Sequence, residues 1–166
     1  MRMIQRARSS MTVIGASLLL IGPAAAQGVV MQRNISLALA KMMAEATLSE
    51  CKAKGFSTAA AVVDRAGQVL VILRDEAASA QTVEMARRKA YTARMFRMST
   101  AEFAKRTMEP AYAPQRDVAD ILALSGGMPV QVGNDVIGGI GSSGSSLEMD
   151  DACAKAGLAK AADLLK

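Results

Sequence analysis

The chain has 166 residues, of which 51% are hydrophobic and 3% aromatic, and it contains no histidine. The lack of histidine excludes the usual general base and the commonest metal ligand. The formal charge of +5 falls to +2 once Arg2, Arg6 and Arg8 are removed with a predicted signal peptide, so the charge does not indicate a nucleic-acid partner.

The first 26 residues have the pattern of a cleavable secretion signal. Three arginines precede an apolar run over residues 11–21, and an Ala-Ala-Ala cleavage motif follows Pro23. The apolar run is shorter than the roughly 20 residues that a membrane-spanning helix needs. We predict a signal peptide over 1–26 and a single periplasmic or secreted domain over 27–166, with no membrane attachment after cleavage.

A helix and a hairpin are predicted next in the chain. Ser36 is a suitable N-cap for a helix that runs to Lys54, where Gly55 ends it. Apolar runs at 59–63 and 69–73 are joined by an Asp-Arg-Ala-Gly turn, which predicts a β-hairpin that is covered on both faces.

The middle of the chain is predicted to be helical. A second helix begins at Ser79 or Thr82 and continues to about Met98, and residues 99–102 have the spacing of a capping box for a short third helix. Residues 117–124 fit either a helix or a loop.

A second hairpin and a last helix complete the predicted order. Strands at 128–132 and 136–140 flank a Gly-Asn-Asp turn, and residues 145–148 offer a capping box for an Ala-rich C-terminal helix. Two hairpins separated by helices favour an antiparallel sheet with packed helices over a doubly wound α/β fold.

Residues 139–144 have the G-x-G-x-x-G spacing of a dinucleotide loop. Only one helix follows, so the second strand and the ribose-binding acid of such a site have no place. Acidic residues in the first turn of that helix would also repel a phosphate. We interpret the motif as a flexible or closely packed corner between strand and helix.

The two cysteines, Cys51 and Cys153, lie far apart in a chain that is expected to reach an oxidising compartment. The sequence leaves open a disulfide between the first and last helices and a pair of buried free thiols.

Lys89 places a charge at the edge of an apolar helix face, on a stripe with Met85, Thr92 and Phe96. Such a lysine reaches solvent, pairs with a carboxylate, or meets an anionic ligand in a pocket. The candidate carboxylates are Asp64, Asp75 and Asp150, and the additional cations near a ligand would be Arg74, Arg87 and Arg88.

Nine methionines remain after signal cleavage, and thioethers are ligands that copper favours. We prefer packing as their role, because methionine fills gaps where aromatic residues are scarce. No zinc, calcium or Ser-His-Asp pattern is present in the sequence.

Several segments together resemble one family. They are the residues at 61–67, the strand after them that ends in Arg74-Asp75, and the residues at 88–93, 126–130, 136–144 and 150–158. In order and over nearly all of the mature chain, they resemble the GlcG/HbpS-like family, also called the haem-degrading domain family, which includes the C-terminal domain of PduO-type proteins.

The resemblance implies a profilin-like, three-layer α-β-α sandwich around a five-stranded antiparallel sheet. It also implies association into dimers or higher homo-oligomers, and haem as a possible cofactor. Because the chain lacks histidine, an axial ligand would come from elsewhere. The candidates are Lys89, Tyr91, Thr92, Met95, Met98 and Tyr112.

The leading hypothesis is an extracytoplasmic protein that binds haem or another anionic planar or carboxylate ligand, with no nucleic-acid partner. Its expected ligand-binding residues are Arg74, Arg88, Lys89, Tyr91, Thr92, Gly126 and Gly127. One alternative is a small enzyme acting on a carboxylic or hydroxy acid, with Lys89 as an electrostatic or base residue and an acid such as Asp64 or Asp150 as proton acceptor. Another is an oligomeric accessory protein without a ligand.

Overall fold

The structure is a computed structural model that describes residues 28–166, so the predicted signal peptide lies outside the described residues. The helices are α1 (Leu37–Ala53), α2 (Gln81–Phe96), α3 (Thr100–Arg106) and α4 (Leu147–Lys160). The strands are β1 (Ala59–Val63), β2 (Val69–Arg74), β3 (Gly127–Val132) and β4 (Asp135–Ser143). Short 3-10 helices lie at Ala113–Asp117 and Ala162–Leu164.

Two of the predicted helix starts are confirmed. The Ser36 hydroxyl accepts a hydrogen bond from the Leu39 amide at the start of α1. At the start of α3, Ser99 and Glu102 form the complete capping box. Both caps satisfy amides that have no partner within the helix.

The other two helix starts differ from the prediction. Helix α2 follows Ala80 without a side-chain cap, and the Thr82 hydroxyl donates to the Ser79 carbonyl instead. Helix α4 is capped by Ser146, so the box predicted at 145–148 is wrong by one residue. The displaced Ser145 bonds to a buried carboxylate, which is described below.

The sheet has the order β2-β1-β4-β3, and every pair is antiparallel. On one face, Ala60 and Val62 of β1 pack with residues of α1 and α4, and on the other, Ala61 and Val63 pack against α2. This arrangement is the predicted α+β sandwich with helices on both faces.

The described residues contain a sheet of four strands, so the expectation of five strands is wrong for this part of the chain. Two positions on the edge of β3 have no free amide to donate to a further strand. The Gly127 amide donates to the Thr100 hydroxyl, and Pro129, two residues further on, has no amide proton to offer. The chain between the hairpins is helical or irregular and supplies no further strand.

Glycines in β4 allow α2 to lie very close to the sheet. A Cβ atom on Gly139 would overlap the Ala90 carbonyl, and one on Gly141 would overlap the Ala86 carbonyl. The glycine-rich motif therefore serves close packing of helix on strand.

A disulfide joins Cys51 of α1 to Cys153 of α4, with Cα atoms 5.5 Å apart and both residues fully buried. The bond closes the question that the sequence left open. Within residues 28–166 no helix combines the length and the apolarity needed to cross a membrane.

Candidate functional site

Lys89 lies in the protein interior and is fully buried. Its ammonium donates to Asp150 Oδ2 at 2.6 Å and to the Ser142 carbonyl at 2.9 Å. Burial lowers the pKa of Lys89, while the bond to Asp150 and its charge oppose that change. The sequence allowed Lys89 to reach solvent, to pair with a carboxylate or to meet a ligand, and the structure shows the pair with a carboxylate.

Asp150 is held on its other side as well. Its Oδ1 accepts from the Ser145 amide at 3.1 Å and from the Ser145 hydroxyl at 2.7 Å. The other two carboxylates considered for Lys89 have different partners: Asp75 pairs with Lys52, and Asp64 accepts from amides of its own turn. The Lys89–Asp150 pair is thus a closed network that joins α2, β4 and α4.

Gly126 and Gly127 pack directly on this pair. A Cβ on Gly126 would lie 3.0 Å from the Lys89 ammonium nitrogen, and one on Gly127 would overlap the Lys89 carbonyl. The space where we expected a ligand is filled by the protein itself. In the described chain Lys89 is a buried structural cation, so the lysine that the enzyme hypothesis names as base is not accessible to a substrate.

The remaining predicted residues serve local structure. Thr92 is fully buried and accepts from the Leu122 amide, and Arg88 donates to the Ile121 carbonyl at 2.5 Å. These two bonds hold the irregular segment at residues 117–124, for which the sequence allowed either a helix or a loop. Arg74 donates to the Ala78 carbonyl in its own turn.

Tyr91 lies apart from Lys89, on the flank of α2, and is half-buried. A Cβ on Gly67 would overlap both the Tyr91 ring and the Met95 methyl group, so both side chains pack over the first hairpin turn. The structure therefore brings Lys89, Gly126 and Gly127 together and leaves Arg74 and Tyr91 elsewhere.

A groove beside α3 was not predicted. It has a volume of about 740 Å³ and lies between α3, the edge strand β3 and α4. Its apolar lining comes from Met98, Ala101, Met128, Pro129 and Leu158. We call it the α3–β3 groove.

Charged side chains line the same groove. The cations are Arg97, Lys105 and Lys155, and the carboxylates are Glu102 and Asp151. Lys155 pairs with Asp151 at 2.7 Å, and the Glu102 carboxylate is bound to Ser99 in the capping box, so Arg97 and Lys105 are the cations left for a ligand. Met98 is partly exposed and lines the groove.

The groove fits the expected cofactor class better than the Lys89 region does. Its volume is in the range of small-molecule sites, and it joins an apolar lining to cations that suit carboxylates. Met98 is among the axial ligands that the sequence named. The other residues that line the groove carried little signal in the sequence, because they come from three elements that are distant in the chain. Residues 28–166 hold no cluster of three or more His, Cys, Asp or Glu side chains able to bind a metal ion.

The fold and the groove define a small α+β protein with helices on both faces of an antiparallel sheet. A family model described as "Haem degrading protein HbpS-like" matches residues 35–159. The chain belongs to this HbpS-like family.

Individual relatives agree with this assignment. The crystal structure of an HbpS double mutant from Streptomyces reticuli is 35% identical, with a TM-score of 0.77 over 83% of this chain and 95% of that one. A 15.0 kDa protein of Citrobacter freundii, encoded in the dhaT-dhaS intergenic region, is 32% identical over 75% of this chain and 90% of its own length.

A crystal structure of a PduOC:heme complex shares the fold at 23% identity. Its TM-score is 0.69, over 76% of this chain and 94% of that one. The complex shows that a protein with this fold binds haem.

Proposed function

We propose that this protein is an extracytoplasmic haem-binding protein and that its haem site is the α3–β3 groove. The observation that carries the proposal is the combination in one groove of a thioether, an apolar lining and cations. Membership of the HbpS-like family and the haem complex of a protein with the same fold support the ligand class.

Met98 is the proposed axial ligand. Among the candidates named from the sequence, Lys89 and Thr92 are fully buried and already hydrogen-bonded, so neither reaches a ligand without rearrangement of the core. The Tyr112 ring stacks on the Arg106 guanidinium at 5.0 Å. Met98 lines a groove of sufficient size, and methionine is an established haem ligand.

Arg97 and Lys105 are the proposed partners of the haem propionates. Both side chains belong to exposed residues at the rim, where a carboxylate can be bound without desolvating the cation fully. The apolar part of the ring would then contact Met128, Pro129 and Leu158.

The extracytoplasmic location is supported by the signal pattern of residues 1–26 and by the disulfide. A buried disulfide suits a compartment where thiols are oxidised, since cytosolic thiols are kept reduced. The homo-oligomer that the family resemblance implies stays a prediction.

Titration of the purified protein with haem tests the proposal. We expect a saturable Soret band in the wild type, and an altered band with at least about tenfold weaker binding in Met98→Leu, because loss of even an outer partner of a metal ligand costs that much. Met42→Leu, at an exposed α1 methionine outside the groove, is the matched control and should bind as the wild type does.

Tyr91→Phe is titrated in parallel. Loss of the band in Tyr91→Phe but not in Met98→Leu would move the site to the hairpin turn and contradict the groove. A flat titration of the wild type would remove haem as the ligand.

A further inference from the structure

A second cavity lies where the segment before α1 meets the turn between β1 and β2. Its volume is about 370 Å³, and it is lined by Gln32, Asn34, Arg65, Ala66 and Arg94. None of these residues lines the α3–β3 groove. The lining is unusual for a surface cavity because two arginines and two side-chain amides face one small space.

The orientation of Asn34 is set by its hydrogen bonds. Its Oδ1 accepts from the Ile35 amide at 2.9 Å and from the Arg65 amide at 3.1 Å. The acceptor end of the side chain is therefore used, and the Nδ2 end is the donor that remains for the cavity.

Arg65 and Arg94 are positioned by bonds that use only part of each guanidinium. Arg65 donates through Nε to the Arg33 carbonyl at 2.9 Å and pairs through Nη2 with Asp135. Arg94 donates through Nε to the Arg65 carbonyl at 2.7 Å. Among the described residues the Arg94 side chain has no other hydrogen-bond partner, so its two Nη groups remain donors.

Arg94 has an excess of positive charge around it. Burial and the neighbouring guanidinium groups of Arg65 and Arg97 lower the pKa of Arg94, and Asp135 and Asp64 oppose this. Asp135 is already paired with Arg65, and Asp64 Oδ1 accepts the amides of its own turn. An anion in the cavity would relieve the repulsion between the two arginines.

We propose that this cavity binds a small oxyanion, a carboxylate or phosphate group, between the Arg94 guanidinium and the Asn34 side-chain amide. A guanidinium presents two parallel N–H donors that match two oxygens of such a group, and the amide adds a third donor. Because the site is separate from the groove, it stands whether or not the protein binds haem.

Solution NMR with two simple probes tests the site. Sodium phosphate and sodium acetate are titrated separately at constant ionic strength, with sodium chloride as the baseline, while the Asn34 Nδ2 and Arg94 Nε signals are followed. Saturable shifts with phosphate alone identify a phosphate site, shifts with acetate alone a carboxylate site, and shifts with both a general oxyanion site. Shifts no larger than those in chloride overturn the proposal.

Asn34→Asp is the decisive variant. The new carboxylate keeps an oxygen for the Ile35 and Arg65 amides, but it removes the donor and adds a negative charge, so affinity should fall at least about tenfold. Arg94→Gln should weaken binding similarly and provides a second variant if the first disturbs the loop. Lys41→Gln, on the exposed face of α1, should leave affinity unchanged. Unchanged affinity in both cavity variants would refute the site.

Discussion

Replacing Asp150 with alanine should destabilise the folded protein by about 3–5 kcal/mol, because the variant leaves the Lys89 ammonium buried without its countercharge. The two side chains are 1% and 3% exposed, so water cannot replace the lost partner unless the core opens. The Ser142 carbonyl would remain as a hydrogen-bond acceptor for the lysine, but it carries no charge.

The upper end of this range follows from proton release. Lys89 can escape the unpaired state by losing its proton, and from its ordinary pKa of 10.5 this costs about 5 kcal/mol at pH 7 at 1.36 kcal/mol for each pKa unit. The loss is thereby limited to about the value expected for a broken buried pair. For a domain of this size, a loss of about 3–5 kcal/mol corresponds to a fall in Tm of roughly 10–17 °C.

Urea and thermal unfolding of four proteins measure the effect: the wild type, Asp150→Ala, Lys89→Met and the double variant. The double variant should be less destabilised than the sum of the single ones by about 2 kcal/mol or more, because it leaves no unpaired charge. Asp163→Ala breaks an exposed pair with Lys166 and should change stability by less than about 1 kcal/mol. A loss below about 1 kcal/mol in Asp150→Ala would refute the buried pair.

Two further predictions concern the disulfide and a helix cap. Replacing both Cys51 and Cys153 with alanine should lower the free energy of unfolding by about 3–5 kcal/mol, because the disulfide joins residues that are 102 positions apart in the chain. Equal urea midpoints for the variant and the wild type would contradict this. Ser99→Ala should cost about 1 kcal/mol at neutral pH. Hydrogen bonds from the Ser99 hydroxyl and amide lower the pKa of Glu102, so this stabilisation is present above the ordinary value of 4.5 and is lost as pH falls through the lowered folded value. Ser99→Ala removes only the hydroxyl bond of these two, and it also removes the cap on the Glu102 amide, which does not depend on pH. The gap between the urea midpoints of variant and wild type should therefore narrow in acid without closing, and a gap that does not change with pH would contradict the bond between the Ser99 hydroxyl and the Glu102 carboxylate.

Most secondary structure could be predicted because its signals are local. Ser36 and Ser99 cap the helices that the sequence assigned to them, and Gly67 and Gly133 adopt the positive φ values that the two hairpin turns need. The predictions failed where a local signal had two solutions. At α4 either Ser145 or Ser146 could cap the helix, and the bond between Ser145 and Asp150 decides for Ser146.

The candidate site was only partly predictable. The helical spacing around Lys89 indicated a charge beside an apolar face, and Asp150 was one of three carboxylates considered for it. Sequence could not choose among them, since the partner lies 61 residues away and the choice depends on how α4 returns to the sheet. Sequence also could not show that Gly126 and Gly127 fill the space beside the pair.

Local signals are enough to predict the helices, the two hairpins and the family, because periodicity, caps, turn residues and motifs involve neighbouring positions in the sequence. Three features required the folded structure: Lys89 is buried beside Asp150, Cys51 is bonded to Cys153, and Met98 lines a groove. Each of these depends on contacts between side chains far apart in the chain, and such contacts exist only after the helices have packed on the sheet.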